Sequence, residues 1–142
     1  MTAIEPLCHL LKLDTSMLTY RENLLLEGEL FALVCEELKE IFREQYRDYF
    51  RFIKLTREKE NLMLESRFAE FIINDIVSTG QYTTKGIAYY TDTFEEVVVE
   101  IMTGLNTSPS AIFLRKLIEL HHSVRRELYD FIIKKVMKKL EN

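Results

Sequence analysis

Apolar residues recur along this chain at three- and four-residue intervals, and that spacing predicts helices almost from end to end. Leu30, Phe31, Val34, Leu38, Ile41, Phe42, Tyr46, Tyr49, Phe50 and Ile53 form the longest stripe. Glu36, Glu37, Lys39, Glu40, Arg43, Glu44, Arg47 and Asp48 fill the opposite face with mixed charge. Thr19 followed by Glu22 reads as a capping box that opens this run. Between Gly28 and Gly80 lie fifty-one residues with neither glycine nor proline. The polar stretch from Thr56 to Asn61 thins the stripe, which predicts either a bend or the solvated face of a continuing helix. Periodicity returns with Leu62, Phe68, Phe71, Ile72 and Ile76, until Ser78-Thr79-Gly80 stops it. Ahead of it all, Leu7, Leu10, Leu11, Leu13 and Leu18 suggest a short helix or an arm packed on the body.

The second half is divided more finely. Thr83 or Thr84 can cap a short helix, Ala88 is small enough for a close crossing, and Asp92 tolerates the left-handed conformation of a tight turn. A second short helix is expected from Thr93, with Glu96 completing a capping box. Phe94, Val97, Val98, Ile101 and Leu105 keep helical spacing and are expected to share one buried face. Tyr89 and Tyr90 are expected in the core beside Phe94. Gly104 is placed as a C-terminal stop, and Pro109 as the first turn of the next helix. That helix, with Ile112, Phe113, Leu114, Leu117, Ile118 and Leu120, should end near His121-His122. Ser123 is then the expected cap of a last helix carrying Val124, Leu128, Phe131, Ile132, Val136 and Leu140.

These residues carry a resemblance. The Ile87-Ala88 pair, Val98 ten positions after Ala88, Ile101 three further on, and Gly104 before Asn106 and Pro109-Ser110 resemble the phage-repressor-type (Xre, lambda-repressor-like) helix-turn-helix domain over about residues 66–122. RFAEFIINDI would supply its first helix and PSAIFLRKLIEL its fourth. The turn glycine of that family is replaced by Asp92. The resemblance implies a DNA-associated regulator whose reading residues are Thr84, Thr93, Phe94, Glu95, Glu96, Val97 and Glu100. Lys85, Arg115, Lys116, Arg125 and Arg126 would then contact phosphates. Such regulators read paired half-sites as dimers, so a homodimer through residues 28–55 is expected.

Charge changes that picture. The net charge of −4 is unevenly spread. Residues 65–110 hold two Lys/Arg against seven Asp/Glu, whereas residues 111–142 hold eight against four. Affinity for a duplex comes largely from neutralised phosphates, and Lys85 is the only cation between Arg67 and Arg115. An acidic reader can still accept from the cytosine amino group. The competing reading is a protein-interaction adaptor or regulator that keeps the fold without DNA binding. Its glutamates would steer a cationic partner, and Tyr82, Tyr89, Tyr90, Phe94 and Val97 would offer apolar anchors.

Composition at 47% hydrophobic and 30% charged residues is that of a globular domain, not a disordered chain. Cys8 and Cys35 sit among apolar neighbours and read as buried thiols in a reducing compartment, a disulfide between them being the alternative. With no basic leader at the start and no apolar run of membrane-spanning length, a cytoplasmic protein without membrane association is expected. No catalytic motif, glycine-rich phosphate loop, metal-ligand spacing or cofactor signature is present, so no enzyme, metal or cofactor is expected. Glu119, His121 and His122 could be drawn as ligands, but adjacent helical histidines point about a hundred degrees apart and are expected to lie half-exposed at a helix end. Asp75, isolated within FIINDIV, is expected to face solvent beside Asn74. The whole is an all-α fold: a helical dimerisation platform over residues 1–65, then a helix-turn-helix-like unit with a basic closing helix over residues 66–142.

Overall fold

The computed structural model describes residues 18–141, the side chain of Glu141 excepted; the arm expected over residues 1–18 and the Cys8 thiol lie essentially outside them. Every regular element among the described residues is a helix. In order these are α1 (Tyr20–Gln45), α2 (Arg47–Phe52), α3 (Arg57–Ser66), α4 (Phe68–Ser78), α5 (Thr84–Thr91), α6 (Glu95–Met102), α7 (Ala111–Val124) and α8 (Arg126–Glu141). No helix among them is long and apolar enough to cross a membrane.

The expected capping box opens α1: Thr19 N donates to Glu22 Oε1 and Glu22 N to Thr19 Oγ1, both at 3.1 Å. The long breaker-free run is nevertheless interrupted. It bends at Tyr46 and again at Lys54, whose φ is 56°. There Leu55 N reaches back to Phe50 O at 3.1 Å, and Thr56 caps α3 by accepting from Lys59 N. The polar stretch at Thr56 is therefore the start of a helix, made by a hydroxyl acceptor and not by glycine or proline.

The chain divides into two compact units: the described part of Met1–Ile41 with Glu127–Asn142, and Phe42–Arg126. In the first unit, Leu30, Val34 and Leu38 of α1 and Tyr129, Ile132 and Val136 of α8 are buried. Lys139 Nζ lies 2.6 Å from Glu37 Oε1, with Lys135 Nζ 4.0 Å from Oε2. This hydrogen bond to Glu37 raises the Lys139 pKa above its ordinary value.

The second unit is organised around α4. Phe68, Ala69, Phe71, Ile72, Ile73 and Ile76 are all buried, and α3, α5, α6 and α7 each pack against this helix. Phe42 meets Phe71 at 5.5 Å between ring centroids, and Tyr46 stacks on Phe71 at 4.7 Å. Much of the stripe that suggested a dimer through residues 28–55 is thus buried within a single chain: Leu30, Val34 and Leu38 in one unit, Phe42 and Phe50 in the other.

Three boundaries differ from expectation. Helix α6 begins at Glu95, not Thr93, because Thr93 Oγ1 is engaged with Thr91 Oγ1 at 2.9 Å and the capping position passes to Phe94. Pro109 precedes the cap of α7 and is not its first residue; Ser110 Oγ accepts from Phe113 N at 3.1 Å. Ser123 caps nothing. It lies inside α7 and donates to Leu120 O, so α7 continues to Val124 and α8 starts at Arg126.

Candidate functional site

The turn between α5 and α6 sets the geometry of the candidate surface. Thr83 caps α5 by accepting from Gly86 N at 3.1 Å. At the other end Asp92 is left-handed, with φ 56° and ψ 48°. Thr93 N donates to Ala88 O at 3.0 Å, and Asp92 N to Tyr89 O at 3.3 Å. These two bonds have the Schellman pattern, here with aspartate in the position glycine usually holds. Thr91 seals the corner by donating to Ile87 O at 2.8 Å. Ala88 and Val98 are both buried, and α5 and α6 pack against each other.

Helix α6 closes on a second Schellman turn. Gly104 has φ +83°, Leu105 N donates to Glu100 O at 2.8 Å, and Gly104 N to Ile101 O at 3.1 Å. Between these two turns α6 spans only Glu95–Met102, and Phe94 and Leu105 lie just beyond its ends. Their expected burial is therefore wrong: Phe94 is 80% and Leu105 83% exposed. Spacing placed them on the face of Val98 and Ile101, but neither residue has helical backbone to hold it there. Tyr89 is 91% exposed, and Tyr90 is also exposed, so neither is core. Partial burial, together with Glu119 nearby, pushes the Tyr90 hydroxyl up from its ordinary pKa.

The sequence-nominated residues have distinct environments. Glu95, Glu96 and Glu100 are exposed along α6, and Val97 is half-buried. The first two lie at the helix N-terminus, where the dipole favours anions. Thr84 donates to Glu95 Oε1 at 2.9 Å, so these two satisfy each other. Thr93 is half-buried in the turn. Of the expected phosphate contacts, Lys85 and Arg126 are exposed, while Arg115 and Lys116 are half-buried, with Arg115 Nε lacking a hydrogen-bond partner among the described residues. Arg125 is bound to α4. Its Nε donates to Asp75 Oδ2 at 3.0 Å, and its Nη2 to Asp75 Oδ1 at 3.1 Å.

Asp75 does not face solvent as expected, and His121 is not half-exposed. His121 is fully buried, with Nε2 2.7 Å from Asp75 Oδ2. Burial pushes the Asp75 carboxyl up, but hydrogen bonds from His121 and Arg125 outweigh it and hold its pKa at about 2. The available signal was a single acid inside FIINDIV and a histidine spaced one helical turn from an arginine. Among the described residues no group of three or more His, Cys, Asp or Glu could hold a metal ion.

A separate groove of about 290 Å³ lies beside α4, lined by Tyr46, Tyr49, Phe50, Arg67, Glu70, Phe71 and Asn74. Arg67 lies over the Phe71 ring at 5.2 Å and donates to the buried Glu70 carboxylate. That bond raises the Arg67 pKa.

No protein-family model matches the chain, and no curated protein or solved structure is similar enough to count as a match.

Proposed function

We propose that this protein is an interaction module that presents the surface of α5 and α6 to a cationic protein partner. One observation carries the reading: exposed Tyr89, Phe94 and Leu105 accompany Glu95, Glu96 and Glu100 on a two-helix element with Lys85 as its only cation. Large exposed aromatic and aliphatic residues beside charge of one sign suit an interface with an apolar centre and a steering rim. A phosphate backbone would be repelled by the same rim.

The second reading is the DNA-associated regulator implied by the repressor resemblance. It draws support from the α5–Asp92–α6 corner with Ala88 and Val98 buried, and from α4 and α7 on either side in the chain. Arg125 weighs against it, since its guanidinium is committed to Asp75.

A labelled synthetic peptide of alternating lysines and leucines, an acidic counterpart and duplex DNA fragments separate the two readings when titrated at low and high salt. Salt-sensitive binding of the cationic peptide, lost in Glu96→Lys/Glu100→Lys, is expected. Retention of duplex DNA that is lost in Arg126→Glu, with no peptide bound, would replace this reading by the regulator.

A further inference from the structure

Helix α6 exposes Glu96, Val99 and Glu100 on one face. On α8, Phe131, Lys134 and Lys138 share an exposed face at helical spacing. The two faces are complementary in charge and share the spacing of their charges. Each pair of like charges is separated by four residues, about 6 Å along a helix, and each pair has one apolar side chain beside it. Lys135 and Lys139 are drawn to Glu37, and Lys135 Nζ also lies 4.9 Å from the Phe131 ring centroid. Lys134, Lys138, Glu96 and Glu100 form no ion pair among the described residues.

We infer that the cationic partner of α6 is a second copy of this chain, with Glu96 and Glu100 of one molecule docked on Lys134 and Lys138 of the other and Val99 against Phe131. The inference rests on reading the α6 face as a docking surface, and it supplies the occupant by charge complementarity. It also moves the expected self-association away from residues 28–55. Two different patches meet, so the contact either closes as a reciprocal pair or adds molecules end to end.

Light scattering of the full chain at about 0.01 M and about 1 M salt tests this, because the Debye length falls from about 30 Å to about 3 Å across that range. Self-association at low salt that disappears at high salt is expected. Glu96→Lys/Glu100→Lys and Lys134→Glu/Lys138→Glu should each weaken it on the order of tenfold or more, with circular dichroism confirming that both stay helical. Mixing the two variants should restore association, because a now-basic α6 then meets a now-acidic α8. A wild-type chain that stays monomeric at low salt, or a mixture that stays unassociated, overturns the inference. In the monomeric case the alternating lysine-leucine peptide distinguishes the two failures. If it still binds through Glu96 and Glu100, only the self-partner falls; if it does not, the docking surface falls as well.

Discussion

His121 Nε2 and Asp75 Oδ2 lie 2.7 Å apart, 46 positions apart in sequence, and tie α7 to α4 inside the second unit. Arg125 completes the arrangement from the end of α7, and also reaches Ser78 Oγ at 3.3 Å. A buried histidine next to a carboxylate could be taken for chemistry. Here the carboxylate also holds a guanidinium in two hydrogen bonds, which makes the cluster a brace between helices.

This brace sets a pH dependence. The Asp75 pKa falls from 3.8 to about 2 on folding, so its stabilisation is complete above the ordinary value and is lost as pH drops through about 2. Denaturant unfolding of the wild type should therefore lose stability between about pH 4 and about pH 2 more steeply than that of Asp75→Asn. Parallel profiles for the two proteins would show that Asp75 is not the linked group.

Neighbouring arginines should respond differently. Arg125→Glu sets a like charge against Asp75 across a partly exposed pair and should cost about 1–2 kcal/mol in unfolding free energy. Arg126→Glu, on an exposed side chain, should stay within about 0.5 kcal/mol of wild type.

The two turns around α6 make opposite predictions. Asp92→Gly relieves a left-handed non-glycine residue and should stabilise the protein by about 1 kcal/mol. Gly104→Ala should destabilise it by about 1 kcal/mol through its φ of +83° alone, since the added Cβ would sit at an ordinary 3.5 Å from Glu70 Oε1. Thermal or denaturant melts of the two variants measure both.

Gly28 stands in the middle of α1, with nothing within 4 Å of where a Cβ would lie. Gly28→Ala should raise stability by about 0.5–1 kcal/mol, as expected for an unstrained helical glycine. A loss would mean that the position is occupied by something the described residues do not contain.

Phe94→Ala and Tyr89→Ala should leave the unfolding free energy within about 0.5 kcal/mol of wild type, because both rings are largely in solvent. Both should weaken capture of the cationic peptide. A large stability loss would instead assign these rings to the fold.

Local chemistry by itself determined much of this molecule: its all-helical character, the Thr19–Glu22 cap, the Thr83 cap, the left-handed turn at Asp92 and the glycine stop at Gly104. Each depends on a few adjacent residues, so spacing and side-chain type are enough to read it. Burial was decided only in three dimensions. Phe94 and Leu105 keep the spacing of Val98 and Ile101 but fall outside the helix, and Asp75 finds His121 and Arg125 across a packing interface that no local pattern encodes. The break at Tyr46 was equally hidden, since tyrosine is no helix breaker, whereas the one at Lys54 lies just ahead of the polar stretch from Thr56 whose thinned stripe allowed a bend. A helix's period tells which residues share a side, but which side becomes the interior depends on what packs against it.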